Sequence, residues 1–471
     1  MHPLLVTDIL QDTHGTLWRG NPQCRVSGVS IDSRTVQPGD LFIALRGERL
    51  DGHQFVAEAL RQGAGAVLVS DPQGLVGVLH AAQPAPPAVI LVPDTLMALH
   101  DLATARRRRF QGTVVAITGS NGKTTVKEMT AAVLQTRYRT FKAYGNLNNH
   151  IGLPLTLLRM ELAHDVAVFE LGMNHLGEIR QLSAIVQPQI GVITNIGLAH
   201  VGYLGSIEGI QQAKGELLEA LPATGVAIVN ADDPRALALG KRAPGRVLTF
   251  GQGEAAEVGG QLRADLGLAG LQCDLRLAGR HWPVTLATSG AHNLMNALAA
   301  AAVGTVLQVP AADIVAGLQA HRGMYGRLAV RRGRGAVTLI DDTYNANPNS
   351  VRAALQFLSH LPTAGRRLIV LGDMLELGTA APALHEEVGA QAAAVPAEHL
   401  IALGAFAQDV ARGARAAGMA ASHIHLVADQ QEALALLQHL PEPGDVILLK
   451  GSRGMAMEHL VQALAVDEGG H

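Results

Sequence analysis

The chain has 471 residues, 48% of them apolar and 16% charged, with a formal net charge of −3. That length predicts two to four domains of roughly 100–200 residues each. The near-neutral balance gives no electrostatic case for nucleic acid, and 3% aromatic residues leave few platforms for base stacking. Cys24 and Cys273 are the only cysteines and have no metal-type spacing. The first residues lack a basic start followed by an apolar core, so no signal peptide is expected. The apolar run at 297–309 is broken by Gly304 and is shorter than the ~20 residues a membrane span needs. A cytoplasmic, disulfide-free protein without membrane insertion is expected.

Residues 1–110 read as a first unit. Strands are expected at 39–45, 66–70 and 88–92, with a helix at 54–62. Val29-Ser-Ile-Asp-Ser-Arg-Thr, Pro38-Gly39-Asp40 and Asp51-Gly52-His53 are polar segments interleaved with turns, a usual place for ligand-contacting loops. Arg34 beside Ser33 reads either as a phosphate grip or as a solvated loop arginine. The run Arg106 to Arg109 reads as the basic end of a helix before a domain boundary, favoured by the helix dipole, rather than as a nucleic-acid contact.

Residues 111–322 read as a second unit, opened by Thr113-Val-Val-Ala-Ile-Thr-Gly-Ser-Asn-Gly-Lys-Thr-Thr-Val-Lys. Residues 113–118 are β-branched and apolar, the pattern of a buried parallel strand. Gly119, Ser120, Asn121 and Gly122 form a turn, and from Lys123 a helical pattern places Val126, Met129 and Val133 on one face. Strand, glycine turn, Lys-Thr and helix make a phosphate-binding loop, with backbone N–H groups and a helix N-terminus aimed at phosphate oxygens. Lys123 is expected at the β/γ-phosphates and the hydroxyl of Thr124, next to Thr125, on Mg²⁺. The spacing is short, because Ile117 stands where the usual loop has its first glycine. Strands at 166–171, 190–195 and 225–230 alternate with helices near 178–186 and 206–221, which predicts a parallel, doubly wound sheet. Ligands in such sheets lie beyond the carboxyl ends of the strands, where Glu170 and His200 fall; Lys214 sits on the next helix. Residues 254–287 look like a small β insertion, and Gly290-Ala-His-Asn-Leu-Met-Asn-Ala starts an Ala-rich helix.

Residues 323–471 read as a third unit. Strands at 336–341, 367–371, 399–403, 424–427 and 446–450 are separated by helices, so a second open α/β sheet is expected. Polar groups follow three of these strands: Asp342-Thr-Tyr-Asn-Ala-Asn-Pro, Gly372-Asp-Met and Lys450-Gly-Ser-Arg.

These segments resemble the Mur ligase family over nearly the whole chain. The match is carried by Thr118-Gly-Ser-Asn-Gly-Lys-Thr-Thr, which explains the short glycine spacing, and by Tyr144-Gly-Asn-Leu-Asn-Asn-His-Ile-Gly-Leu-Pro, Glu170-Leu-Gly-Met-Asn, Asn195-Ile-Gly-Leu-Ala-His and Ala213-Lys-Gly-Glu. Asp341-Asp-Thr-Tyr-Asn-Ala-Asn-Pro-Asn-Ser, Leu371-Gly-Asp-Met-Leu-Glu-Leu-Gly and Lys450-Gly-Ser-Arg point within it to the dipeptide-adding branch, rather than to tripeptide-forming ligases or folylpolyglutamate synthase. The resemblance implies three α/β domains: an N-terminal domain holding the UDP end of the substrate, a central parallel-sheet ATPase domain, and a C-terminal Rossmann-like domain for the incoming dipeptide. It implies that ATP phosphorylates the C-terminal carboxylate of UDP-N-acetylmuramoyl-tripeptide and that the amine of D-alanyl-D-alanine displaces the phosphate. The product is the pentapeptide precursor of peptidoglycan, and a monomer is expected.

Carried over residue by residue, the resemblance puts a first Mg²⁺ on Thr124 and Glu170 and a second on His200, with Lys214 carbamylated to an anionic oxygen ligand. Asn293 and Asn296 match adenine-side positions. Arg327 and Asp342 match residues that reach ATP from the C-terminal domain, and the adjacent Asp341 is an alternative for the latter. Ser33 and Arg34 would meet the UDP portion, and Asn148 and Asn149 the tripeptide-sugar side. Asn345, Asn347, Lys450 and Arg453 are candidates for the dipeptide pocket. His321-Arg-Gly-Met-Tyr-Gly, before Arg327, departs from the family's proline-rich approach.

Overall fold

The computed structural model describes residues 3–47, 49–73 and 87–466. Thr113–Thr118 lies well inside a nine-stranded sheet, with Val166–Glu170 on one side and Ile190–Ile193 on the other, both parallel to it. Outward from these run Thr140–Lys142 at one edge and Val226–Asn230, then Arg246–Gly251, toward the other. All but the first residue of Thr113–Thr118 are buried, as a strand covered on both faces requires. Residues 254–287 do not form a separate insertion. Val258–Asp265 joins the same sheet in parallel, and Leu271–Leu277 and Arg280–Leu286 continue it antiparallel. The Ala-rich helix His292–Val306 packs on the helix Lys123–Leu134. Its alanines from Ala299 to Ala302 are almost wholly buried, and their small side chains permit the close approach. A Cβ on Gly304 would already press on Val133 at 2.9 Å.

In the first unit, Val29–Ser30, Leu41–Ile43, Ala66–Val69 and Ala88–Leu91 are parallel, and Thr16–Arg19 closes the far edge antiparallel. One apolar cluster runs from Val6, Leu68 and Leu102 of this unit into Val114, Phe169 and Leu217 of the central unit.

The arginine run does end a helix, Thr95–Arg109, but half of it is not solvated. Arg106 and Arg107 are buried. Arg106 donates from Nε and Nη2 to the Met160 carbonyl at 3.1 and 2.6 Å. Arg107 donates to the Val186, Phe110 and Gln187 carbonyls at 2.6, 3.0 and 2.9 Å. The carbonyls at the ends of the helices Gly152–Arg159 and Glu178–Val186 lack partners within their own helices, and a planar guanidinium with several donors supplies them. The run therefore fastens the first unit to the second. Arg107→Ala is expected to destabilise the protein by about 2–3 kcal/mol through these stranded carbonyls, measured by urea unfolding, and Arg107→Lys to recover only part of it.

The third unit is a six-stranded sheet in the order Ala329–Arg332, Thr338–Asp342, Val446–Lys450, Arg367–Gly372, His399–Leu403 and Ile424–Val427. Only the unanticipated edge strand Ala329–Arg332 is antiparallel. The last strand in sequence is inserted between the two earlier ones, so the loops after Asp342, Gly372 and Lys450 lie side by side at one carboxyl edge. Among the described residues, no helix is long and apolar enough to cross a membrane.

Candidate active site

A cavity of 650 Å³ lies where the carboxyl edge of the central sheet faces that of the third unit. The phosphate-loop turn forms its floor. Gly119 has φ +150° and Gly122 φ +80°, conformations that favour glycine. A Cβ on Gly119 would collide with Thr194 Oγ1, and one on Gly122 with Asn296 Oδ1. The turn is tied to the loop after Ile190–Ile193. Ser120 Oγ donates to the Gly197 carbonyl at 2.9 Å and accepts from its amide at 2.8 Å. The Asn121 amide donates to Asn195 Oδ1 at 3.0 Å, and the Asn121 carbonyl accepts from Thr194 Oγ1 at 2.6 Å. Thr194 and Asn195 were not singled out as site residues. Their signal was polarity at the carboxyl end of a strand beside the phosphate-loop strand.

Lys123 opens the helix and bends back, donating to the Gly119 and Ser120 carbonyls at 2.8 and 3.4 Å. Lys214 is buried on the helix Ile207–Glu219 and donates to the same Gly119 carbonyl at 3.0 Å. Burial pushes the pKa of Lys123 down, with Glu170 opposing the shift. Burial and then the charge of Lys123 push Lys214 well below the ordinary lysine value, again against Glu170. Glu170 ends its strand almost fully buried; its Oε1 accepts from Asn148 Nδ2 at 2.7 Å, while its buried Oε2 has no protein donor. His200 caps a short helix with φ +64°, and its Nδ1 lies 2.6 Å from Oε2 of Glu376, a third-unit residue that sequence reading did not select. Thr124 Oγ1 accepts from Arg327 Nη2 at 2.9 Å, and Thr125 lines the cavity beside it.

The facing wall comes from the third unit. The Arg327 guanidinium sits 4.1 Å over the Tyr344 ring, which fixes its plane. Asp342 lines the cavity, accepting from the Leu328 amide at 3.2 Å and from Lys450 Nζ at 2.5 Å. Asp341 is wholly buried beneath, held by Thr343, and does not line the cavity. Lys450 also donates to the Asn345 carbonyl at 3.1 Å, so its charge already has partners here. Asn345 Oδ1 accepts from the Arg453 amide at 3.4 Å. The Arg453 side chain is 61% exposed and pairs with Glu458 at 3.1 Å. Asn347 caps the helix Pro348–His360 and donates across the gap to Asn121 Oδ1 at 2.8 Å, giving Asn121 a contact beyond its turn.

Asn293 and Asn296 lie on the central side, near Gly122. Asn293 donates to the Ser289 carbonyl at 2.7 Å and accepts from Asn296 at 2.8 Å. Asn149 lines the cavity while its Oδ1 accepts from the Gly152 amide at 2.8 Å, at the start of the helix Gly152–Arg159. Ser33 and Arg34 line neither this cavity nor a second one of 260 Å³. Ser33 is buried, Arg34 is exposed and paired with its own Asp32 at 2.6 Å, and only the neighbouring Thr35 lines the second cavity.

A phosphate loop on a central α/β sheet, faced across a cleft by a second α/β sheet, defines an ATP-site architecture. Family descriptions match along the chain: the Mur ligase family catalytic domain at 25–107, the Mur ligase middle domain at 117–304, and the Mur ligase glutamate ligase domain at 326–453. The chain belongs to the Mur ligase family. It is 37% identical to UDP-N-acetylmuramoyl-tripeptide--D-alanyl-D-alanine ligase of Bacillus subtilis, over 98% of both chains. It is 40% identical to the enzyme of that name from Treponema pallidum, over 92% of both. Among solved structures it resembles MurF from Acinetobacter baumannii, with a TM-score of 0.87 and 35% identity over 98% of both chains. MurF from Thermotoga maritima in complex with ADP matches with a TM-score of 0.78 and 28% identity, covering 93% of this chain and 97% of that one.

Proposed function

We propose that this chain is the ATP-dependent ligase that adds D-alanyl-D-alanine to UDP-N-acetylmuramoyl-tripeptide, making the pentapeptide precursor of peptidoglycan. The observation that carries this is the cleft itself. A phosphate loop with Lys123, Glu170 and His200 faces Arg327, Asp342 and Asn347 across one cavity. Full-length likeness to ligases of this name supports the substrates.

A carboxylate is a poor electrophile because its oxygen is a poor leaving group. An oxygen of the tripeptide's terminal carboxylate attacks the γ-phosphorus, the β–γ bridging bond breaks and ADP departs. The dipeptide amine then attacks the acyl carbon and loses a proton; the carbon–oxygen bond breaks and inorganic phosphate leaves. Lys123 and Arg327 supply positive charge where two anions meet, which is most of the catalysis phosphoryl transfer needs. Asn293 and Asn296 border the adenine side. Asn148 and Asn149 border the tripeptide. Asn345 and Arg453 border the dipeptide, where Arg453 is the more accessible partner for a carboxylate, because its paired side chain is largely exposed while Lys450 is buried against Asp342. Ser33 and Arg34 serve the UDP end, and the third unit shields the acyl phosphate from water.

The oxygen donors present suit a hard cation such as Mg²⁺, and two ions belong to the same reading. The buried Glu170 Oε2 has no protein donor, and Thr124, whose hydroxyl is a further oxygen ligand, lines the same cavity. Thr124, Glu170, His200 and a carbamylated Lys214 would hold the ions, which neutralise phosphate charge when bound. An unmodified lysine among cations would be repulsive, and burial pushes its pKa in the direction that favours the neutral amine carbamylation needs. Cytoplasmic action as a monomer belongs to the same reading.

A substrate panel tests the proposal. Mass spectrometry should detect the pentapeptide product from UDP-N-acetylmuramoyl-tripeptide with D-alanyl-D-alanine. A product from folate and glutamate, or from a single amino acid alone, would overturn it.

A further inference from the structure

Glu376 belongs to the third unit, yet its carboxylate reaches the central unit's His200, with Nδ1 to Oε2 at 2.6 Å. The contact is short but not in line for a straight N–H···O bond. The backbones meet as well: the Gly202 amide donates to the Glu376 carbonyl at 2.9 Å. Gly202 and Gly378 pack so closely that a Cβ on Gly202 would lie 2.5 Å from the Gly378 amide nitrogen. Both His200 and Glu376 hold left-handed backbones, with φ +64° and +65°. Side chains seldom adopt that conformation, and it persists where surrounding contacts over-determine it. Here those contacts include one unit pressed on the other.

We propose that Glu376 is a positioning residue for His200: docking of the third unit brings its carboxylate to Nδ1, and that negative charge favours the proton at Nδ1 and leaves the Nε2 lone pair free. A histidine that binds a cation through one ring nitrogen commonly donates the other N–H to a carboxylate, which sets the tautomer and raises the ligand's basicity. The inference rests on His200 as a metal-facing residue of the ligase reading. It adds that this ligand is completed from the other unit, so that domain docking and completion of the cation site are one event. The glycine pair has a physical role in the same contact, since any side chain there would hold the two backbones apart.

The test is ¹⁵N-imidazole NMR of the full chain without nucleotide or substrate, with the His200 signal assigned by its loss in His200→Gln. The wild type is expected in the Nδ1–H form. Glu376→Ala should shift it toward the Nε2–H form, while Glu376→Gln, whose amide oxygen can still accept, should keep the wild-type form. Gly202→Ala keeps the Glu376 side chain but separates the backbones that bring it to His200, and should reproduce the Glu376→Ala spectrum. In the ligase assay, Glu376→Ala should raise the Mg²⁺ concentration for half-maximal rate about 10–100-fold, with Glu376→Gln recovering most of it. An unchanged tautomer in Glu376→Ala, or a wild type already in the Nε2–H form, would overturn the proposal. The spectra need no turnover, so they separate failure of this proposal from failure of the ligase reading.

Discussion

Replacing Lys123 with methionine is expected to lower kcat on the order of 10³-fold, with a much smaller change in KM for the dipeptide. Lys123 Nζ lies among the loop carbonyls of Gly119 and Ser120, at the start of the helix, where backbone amides collect phosphate oxygens. In the proposed reaction its charge matters most when the γ-phosphoryl group is between two oxygens, so its loss should fall on kcat. Methionine keeps the length and apolar stem, and the fold should survive, because the turn is also held by Thr194, Asn195 and Gly197. Lys123→Arg should not rescue, since the planar fork must fit a space sized for an ammonium. Steady-state kinetics with a thermal melt on the same samples checks this, and a variant with near-normal kcat would remove Lys123 from the chemistry.

Lys214→Met should be comparably damaging to activity yet should not lower stability. Burial holds the Lys214 pKa well below its ordinary value, so the folded chain binds fewer protons at this site than the unfolded chain does. A lysine in that position costs stability at every pH below its unfolded value, and the cost shrinks as pH rises. Methionine removes the cost, so the melting temperature should stay level or rise relative to the uncarbamylated chain, measured without bicarbonate. On the proposed carbamate reading, activity should fall because the anionic ligand is missing. A carbamate would form from the neutral amine and CO₂, so on this reading wild-type activity should drop when bicarbonate is removed, more steeply toward acid pH where the amine protonates. Added bicarbonate should restore it in the wild type and do nothing in Lys214→Met. Full activity in Lys214→Met, indifferent to bicarbonate, would remove the carbamate from the mechanism.

The phosphate loop was legible because its chemistry is local. A β-branched strand, two glycines with positive φ, Lys-Thr and an amphipathic helix lie within one short stretch. Glu170 and His200 were legible for a related reason, since a parallel sheet places whatever follows its strands at one edge. The fate of Arg106 and Arg107 was not legible, because their partners are carbonyls far along the chain and a carbonyl carries no residue identity. Nor was Lys450 with Asp342, because their pairing follows from a strand inserted between earlier ones rather than from spacing. Glu376 was hidden within a motif noted for its family likeness, and only the docking of two units shows which side chain it meets. The β character after residue 254 is legible in its alternating apolar stretches, but its place in the central sheet rather than in a separate insertion is a tertiary property.

The most direct test of the account is an isotope experiment on the released phosphate. UDP-N-acetylmuramoyl-tripeptide carrying ¹⁸O in its terminal carboxylate is turned over with ATP, Mg²⁺ and D-alanyl-D-alanine. Phosphate release should require both co-substrates, and the phosphate should carry one ¹⁸O, handed over when the acyl phosphate breaks. Unlabelled phosphate, or release that continues without either co-substrate, would contradict it.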